Sequence, residues 1–257
     1  MTTTRTFDDL VAEAASAPVD GWDFSWLDGR ATEQRPSWGY ARLAAGRMAH
    51  ATAALDIETG GGEVLAGLPA LAPLTVATEA WPPNVAHATA MLRPRGVAVV
   101  DTGGEPRLPF GDAAFDLVIS RHPVATWWQE IARVLQPGGT YLSQQVGPRS
   151  VAGLGELFTG PWPPGADRTP ERAREAAEAA GLEVLDLRTE SLRTTFDDIG
   201  AVVYYLRKIV WLVPGFTVTR HRPQLEALHA RIQAEGPFVT HATRYLIEAR
   251  KPTGITE

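Results

Sequence analysis

The sequence predicts an α/β protein built on a mostly parallel β-sheet. Short apolar runs of strand length alternate along the chain with longer segments that have helical spacing. The first of these runs, residues 51–57, is almost wholly apolar, which is typical of a strand covered on both faces. Three consecutive glycines, Gly60, Gly61 and Gly62, follow it and lead into a helical segment. This alternation favours a parallel sheet with helices packed on its faces.

The composition of the 257-residue chain is that of a soluble globular protein, with 44% hydrophobic and 21% charged residues. A formal net charge of −6 disfavours a nucleic-acid backbone as the main partner. The chain contains no cysteine, which excludes a disulfide framework, and its six histidines lack the spacing of metal ligands. No apolar run reaches membrane length, and the start lacks the apolar core of a signal peptide, so we expect a cytoplasmic protein without a membrane partner.

The glycine turn and a carboxylate farther along the chain form a candidate ligand site. Glycines let a ligand approach the backbone, and N–H groups at a helix start can point at it. Glu79 follows Asp56 by 23 positions and ends the next predicted strand, where it can accept hydrogen bonds from two ribose hydroxyls. The same position serves nicotinamide dinucleotides. The structural alternatives are a plain strand-to-helix turn and a solvated carboxylate at the end of a strand.

Two further motifs carry a family resemblance. Residues 108–118 read LPFGDAAFDLV, and residues 133–139 read RVLQPGG. Together with Asp56 and the glycine turn, they resemble the class I, Rossmann-like S-adenosylmethionine-dependent methyltransferases, strongly over residues 45–190. The chain departs from the family pattern at Glu58, where the first glycine of the turn belongs, and at Gly104, where an acid usually meets the adenine amino group.

The resemblance implies a seven-stranded Rossmann-like sandwich with an antiparallel last strand, an N-terminal lid and a helical insertion before the last strand. We therefore expect a single methyltransferase domain over residues 1–257. Its parts are the N-terminal lid and helices (1–50), the cofactor-binding core (51–191), the helical cap insertion (192–237) and the final strand (238–257).

The resemblance also implies S-adenosyl-L-methionine as the cofactor, with no metal. Glu58 either points away from this cofactor or holds its methionine end, and Asp101 and Glu105 are the nearby substitutes for the acid missing at Gly104. The residues expected to bind the cofactor are Asp56, Glu58, Thr59, Gly60, Gly61, Gly62, Glu79, Ala80, Asp101, Thr102, Ser120 and Arg121.

His122 is the candidate catalytic residue, because it follows the fourth strand at the edge that faces the ligand crevice. Its unperturbed pKa of about 6.5 would let it take a proton at neutral pH. It could instead orient the acceptor or shape the turn before Pro123. The residues expected to contact a small-molecule acceptor are Trp26, Trp38, Tyr40, Trp127, Gln145, Tyr204 and Arg207. The aromatic residues of the N-terminal segment could instead pack that segment onto the core.

Two helix boundaries are also predicted. Pro137 and Gly138 should end a helix ahead of the fifth strand. A threonine cap at 194–195, followed by acids, should begin a helix that buries one stripe of residues. That stripe comprises Phe196, Ile199, Val203, Leu206 and Val210.

The function implied by the resemblance is methyl transfer from S-adenosylmethionine to a small molecule by in-line displacement. A catalytically silent S-adenosylmethionine-binding protein is suggested by Glu58 and Gly104, and a nicotinamide-dependent dehydrogenase by the glycine turn and Glu79. An RNA methyltransferase is a lesser alternative. It would use a basic face that in an acidic protein is more simply a solvated surface. The residues of that face are Arg188, Arg193, Arg207, Lys208, Arg220 and Arg222.

Overall fold

The computed structural model describes residues 5–19, 21–162 and 168–254. The first four residues, part of the start that lacks signal-peptide composition, lie outside the described residues. The helices are α1 (Phe7–Ser16), α2 (Tyr40–Met48), α3 (Glu63–Gly67), α4 (Pro82–Leu92), α5 (Trp128–Val134), α6 (Ala152–Thr159), α7 (Pro170–Ala179), α8 (Ile199–Lys208) and α9 (Arg222–Glu235). The strands are β1 (Ala31–Glu33), β2 (Ala53–Ile57), β3 (Leu74–Glu79), β4 (Ala98–Asp101), β5 (Phe115–Arg121), β6 (Leu135–Val146), β7 (Glu183–Phe196) and β8 (Phe238–Arg250).

The chain divides into two compact units. The first unit comprises Met1–Arg35, Arg149–Gly165 and Ser191–Thr243. The second comprises Pro36–Pro148, Ala166–Glu190 and Arg244–Glu257. Strands β7 and β8 contribute residues to both units.

The second unit contains the parallel sheet predicted from the sequence. Its strands lie in the order β4-β3-β2-β5-β6-β8-β7. Strands β2 to β6 pair in parallel, and β8 pairs antiparallel with β6, so the predicted antiparallel last strand is confirmed. The strand order reverses between β2 and β5, where Ile57 pairs with Ser120. Ligands of open α/β sheets bind outside the carboxyl ends of the strands at such a switch point.

Helices cover both faces of this sheet. Successive side chains of a strand point to opposite faces. Accordingly, Leu55 and Val118 lie in a core with residues of α5 and α7, whereas Ala54 and Leu117 lie in a second core with residues of α2 and α4. The sequence therefore reads as apolar along β2 and β5 because both sides of these strands are buried. This arrangement is the α/β sandwich expected from the alternating pattern.

The first unit has a core of its own, to which α1, α8 and α9 contribute Leu10, Leu206 and Leu225. The close approach of α1 and α8 depends on Gly200, because a Cβ atom there would lie 2.9 Å from the carbonyl oxygen of Leu10. Within this unit β1 pairs antiparallel with the end of β7, with Ala31 opposite Phe196. Among the described residues, β1 is an eighth strand that the sequence did not predict.

The predicted helix start at residues 194–195 is wrong. Strand β7 continues to Phe196, because its last residues pair with β1, and Thr195 and Thr32 share a 2.7 Å hydrogen bond between their hydroxyl groups. The cap of α8 is Asp198, whose Oδ1 accepts a 2.8 Å hydrogen bond from the Ala201 N–H. Val210, predicted to be buried, lies beyond α8 and is 61% exposed.

The predicted helix end at Pro137 is also misplaced. Helix α5 ends at Val134, and β6 begins at Leu135, which pairs with Phe115 of β5. The sequence pattern missed this early change because Val134 and Leu135 suit a helix and a strand equally well. In the described part of the chain, no helix combines the length and apolar composition needed to cross a membrane.

Candidate active site

The glycine turn lies at the switch point of the sheet. It follows β2, and its backbone is tied to the neighbouring strand by a 2.9 Å hydrogen bond from the Thr59 N–H to the Thr78 carbonyl. Gly60 and Gly62 have φ angles of 65° and 88°. A Cβ atom on Gly62 would lie 2.9 Å from the Cγ atom of Leu92, so this position requires glycine for both its conformation and its close packing against α4.

Glu79 lies beside the turn, as its spacing in the sequence predicted. Its Oε2 accepts a 2.8 Å hydrogen bond from the Gly60 N–H. Its Oε1 accepts hydrogen bonds from the Ala80 N–H at 2.8 Å and the Trp81 N–H at 3.0 Å. The side chain is buried, so these backbone donors satisfy a carboxylate that would otherwise be costly to remove from water.

Asp56 places a second carboxyl group under the turn. Burial raises the pKa of Asp56 to about 7, and the negative charge of Glu79 acts in the same direction. If Asp56 and Glu79 were both ionised, two buried negative charges would repel each other at the carboxyl ends of β2 and β3. A cationic ligand at this edge would relieve that repulsion.

Glu58 has an unexpected partner. Its carboxylate accepts hydrogen bonds from the Val124 N–H and, at 3.4 Å, the Ala125 N–H. It thus joins the turn after β2 to the segment after β5. The sequence had left open whether Glu58 points away from the cofactor or holds its methionine end, and it indicated no partner for the side chain. Burial raises the pKa of Glu58. Its φ of 55° lies in the left-handed region, which is uncommon for a residue with a side chain.

The acidic residue at the end of β4 is in a turn of its own. Asp101 pairs with Glu79 across β3 and β4, and its Oδ1 accepts a 2.9 Å hydrogen bond from the Gly103 N–H. Thr102 donates a 3.0 Å hydrogen bond from its N–H to the Glu79 carbonyl. Asp101 is exposed, which leaves its carboxylate accessible beside Glu79.

Ser120 and Arg121 differ in their exposure. The Ser120 hydroxyl is buried and lies 2.8 Å from the Tyr141 hydroxyl and 2.9 Å from the Ser143 hydroxyl. Its carbonyl accepts a 2.8 Å hydrogen bond from Tyr40. The polar groups of Ser120 are therefore occupied inside the sheet, while Arg121 is exposed at the end of β5.

His122 belongs to a chain of hydrogen bonds that defines its protonation. Trp38 Nε1–H donates to Gln144 Oε1 at 2.8 Å, so the Gln144 amide must donate from Nε2 to His122 Nε2, at 2.9 Å. His122 therefore carries its proton on Nδ1. Burial, with the positive charges of Arg121 and Arg244, lowers its pKa to about 3. The ordinary pKa expected from the sequence is wrong, and the imidazole is neutral at pH 7.

Gln145 presents an unsatisfied donor. Its Oε1 accepts hydrogen bonds from the Tyr245 hydroxyl at 2.5 Å and the Thr126 hydroxyl at 3.4 Å. Burial raises the pKa of Tyr245, so the phenol keeps its proton and donates it. Gln145 Nε2 is buried and has no hydrogen-bond partner among the residues that the structure describes.

Trp127 is the residue that precedes the first turn of α5, and it is half-buried. Trp128, the next residue, packs in the core.

Trp38 and Tyr40 contribute to the packing of the second unit. They are 3% and 6% exposed, and both use their polar atoms in the hydrogen bonds given above. The sequence could not separate this packing role from a lid, because aromatic residues near glycines suit both.

The three remaining acceptor candidates lie in the first unit. Trp26 stacks on Tyr204 with ring centroids 4.6 Å apart, and both border a cavity of about 280 Å³ with Pro18, Asp23 and Ser25. Arg207 Nη1 donates to the carbonyl oxygens of Ala14 and Ala17 at the end of α1. Arg207 thus satisfies carbonyls that the end of a helix leaves without partners.

The basic residues proposed as an RNA-binding or solvated face do not share one role. Lys208 is buried, and its Nζ lies 5.0 Å from the ring centroid of Phe24. Arg222 forms ion pairs with Asp8 and Glu226. The expectation of a uniformly solvated surface is therefore wrong for Lys208.

Comparison with protein-family models finds the methyltransferase domain over residues 55–143. The match begins in β2 and ends in β6, so it spans the glycine turn, Glu79 and the segment after β5. The match supports a class I, Rossmann-like methyltransferase. S-adenosylmethionine is accordingly its cofactor, and the nicotinamide-dependent alternative is discarded. The carboxyl groups of Asp56 and Glu79 fit a cofactor that carries a sulfonium and an ammonium cation.

Solved structures similar to the methyltransferase share its fold. A protein of Bacillus halodurans described as a methyltransferase is 18% identical, with a TM-score of 0.61 over 84% of this chain and 99% of that chain. The YcgJ protein of Bacillus subtilis is 19% identical, with a TM-score of 0.61 over the same shares. The [4+2]-cyclase SpnF is 21% identical, with a TM-score of 0.54 over 95% of this chain and 92% of that chain. A search of curated protein sequences finds no match.

Two residues of the site were missed from the sequence. Gln144 controls the tautomer of His122, and Arg168 donates a 2.9 Å hydrogen bond from Nη2 to the Val124 carbonyl. The Gln144-Gln145 pair signalled that one glutamine would face each side of β6. Nothing near Arg168 in the sequence pointed to residue 124.

Proposed function

We propose that this methyltransferase methylates a small molecule whose reactive atom carries a negative charge, such as a carboxylate or an acidic phenol. The observation that carries the proposal is the Nε2 of Gln145, which has no hydrogen-bond partner among the described residues. A buried amide N–H without a partner costs free energy, and an acceptor oxygen would satisfy it. Gln145 would then bind the acceptor at the carboxyl end of β6.

The state of His122 supports a charged acceptor. With a pKa of about 3, the imidazole is a poor proton acceptor at neutral pH, and its Nε2 already accepts from Gln144. An acceptor that reaches the site already ionised needs no base. The positive charges of Arg121 and Arg244, which lower the pKa of His122, would favour an anion in the same place.

Bound S-adenosylmethionine supplies an electrophilic methyl group on a sulfonium. We propose that Glu79 accepts a hydrogen bond from its ribose, with Asp101 near the adenine and the glycine turn near its methionine end. The side chains of this chain would then act chiefly by alignment, which can lower a barrier by up to roughly 7–11 kcal/mol. Gln145 would orient the acceptor oxygen, and half-buried Trp127 would exclude water from it.

The test is turnover on matched acceptors. S-adenosylhomocysteine release would be measured with a panel of aromatic carboxylic acids and phenols, each beside its amide or methyl ether. We expect release with ionised members only. Gln145→Leu should raise the acceptor KM about tenfold, the value of one hydrogen bond to a charged group, and leave the affinity for S-adenosylhomocysteine unchanged. Gln129→Leu, on the exposed side of α5, is the matched control.

Two outcomes would overturn the proposal. Tight cofactor binding without turnover on any acid or phenol would favour the silent cofactor-binding alternative. Turnover on a neutral member in preference to its ionised partner, unaffected by Gln145→Leu, would reject both the anionic acceptor and the role of Gln145.

A further inference from the structure

The carboxylate of Glu58 spans the switch point of the sheet. Residue 58 directly follows β2, and Val124 lies three residues beyond the end of β5. Both hydrogen bonds to the carboxylate come from main-chain N–H groups, those of Val124 and Ala125. One side chain therefore links the turn expected to bind the cofactor to the segment that carries His122 and Trp127.

Val124 is held from both sides of its backbone. Its N–H donates to Glu58, and its carbonyl accepts a 2.9 Å hydrogen bond from Arg168 Nη2. Val124 is 72% exposed, so apolar packing does not anchor the chain at this residue. Polar contacts to two charged side chains therefore determine the local path of the backbone.

The charges of Glu58 and Arg168 support the same arrangement. Burial raises the pKa of Glu58, while the Val124 and Ala125 N–H groups and the positive charge of Arg168 favour its ionised form. The backbone at Glu58 is strained, with a φ of 55° that glycine adopts without difficulty. A side chain at this position has a structural cost that its contacts with Val124 and Ala125 offset.

We propose that Glu58 is a positioning residue which, together with Arg168, clamps the Val124 backbone and holds residues 122–127 against the glycine turn. Through this clamp it sets where His122 and Trp127 lie when the cofactor and acceptor are bound. The clamp does not depend on which acceptor is methylated.

The clamp is tested by amide hydrogen exchange, since the Val124 and Ala125 N–H groups are themselves the donors. Exchange over residues 124–127 would be compared in the wild type, Glu58→Gln, Glu58→Gly and Arg168→Gln. We expect about tenfold faster exchange in each variant, the effect of losing one charged hydrogen bond. Glu63→Gln, a half-exposed glutamate after the same turn, is the matched control and should leave this exchange unchanged.

Glu58→Gly separates the clamp from general stability. Glycine relieves the strained φ angle, so the Glu58→Gly variant should resist urea at least as well as the wild type. The amides of the segment after β5 should nevertheless exchange faster in this variant. Unchanged exchange in both Glu58 variants would overturn the proposal.

Calorimetry with S-adenosylhomocysteine supplies the second readout. The clamp predicts that Glu58→Gln changes this affinity by less than about tenfold, because Glu58 acts through the segment. A loss above about a hundredfold with unchanged exchange would show that Glu58 instead contacts the cofactor, and would also overturn the clamp. Failure of the wild type to turn over any acceptor would reject the proposed function but not the clamp, because exchange is measured without an acceptor.

Discussion

Gly60 donates a 2.8 Å hydrogen bond from its N–H to Oε2 of Glu79, so the turn after β2 and the end of β3 are joined through a buried carboxylate. Three main-chain N–H groups contact this carboxylate. Its two oxygens offer about four lone-pair sites, so an acceptor site remains for a cofactor hydroxyl. The relationship makes Glu79 the residue on which cofactor affinity is expected to depend most.

Glu79→Gln should weaken the binding of S-adenosylhomocysteine by roughly ten- to a hundredfold. The reason is the loss of a charged hydrogen-bond acceptor, worth about 1.5–3 kcal/mol. Isothermal titration calorimetry measures the change, with Glu63→Gln as a control of the same charge change. Equal affinity in wild type and Glu79→Gln would remove Glu79 from the cofactor site.

His122 should stay neutral across the range in which free histidines titrate. Its pKa of about 3 predicts a flat Cε1–H chemical shift from about pH 5 to 9. In urea-unfolded protein the same proton should report a pKa of about 6.5, which supplies the control. A folded-state inflection near neutrality would restore His122 as a candidate base.

The lowered pKa of His122 also makes the free energy of unfolding depend on pH. Because its pKa is lower in the folded protein, its contribution is present above the unfolded pKa and is lost as the pH falls from about 6.5 toward 3. His122→Asn should flatten the corresponding decline in the free energy of unfolding, measured by urea titration.

Asp56→Asn should stabilise the protein increasingly as the pH rises. The pKa of Asp56 is raised from 3.8 to about 7, so its contribution is present below 3.8 and is lost as the pH rises through 7. The difference in free energy of unfolding between variant and wild type should grow by up to about 1.4 kcal/mol per pH unit within that window. Urea titrations at several pH values measure it.

The control is Asp116→Asn. Hydrogen bonds from Thr52 and Ala53 outweigh burial and lower the pKa of Asp116, so its variant should lose stability at neutral pH. The same sign for both variants would contradict the account of Asp56.

Gly62→Ala should lower the free energy of unfolding by about 1–3 kcal/mol, because it combines a φ of 88° with a 2.9 Å approach to Leu92. Gly67→Ala is the control, since no atom of the described residues lies within 4 Å of its Cβ position at the end of α3. Thermal unfolding compares the two. A Gly62 variant as stable as the Gly67 variant would show that the turn has an alternative conformation.

Much of the fold could be predicted because its signals are local. The apolar run of β2, the following glycines and the proline at the start of α4 act on their own neighbours in sequence. The helix predicted at residues 194–195 failed for the opposite reason. Pairing of Thr195 with Thr32, residues 163 positions apart, keeps that segment in β7.

In the candidate site, too, some features depend on neighbouring residues in the sequence and others on contacts between distant residues. The sequence by itself determined the parallel sheet, the glycine turn and the position of Glu79, because strand and turn preferences depend on adjacent residues and their spacing. Only the tertiary structure decided the partner of Glu58, the tautomer and pKa of His122, and the lack of a partner for the Gln145 amide among the described residues. Those properties follow from burial and from contacts such as that of Glu58 with Val124, 66 residues away, which no local pattern encodes.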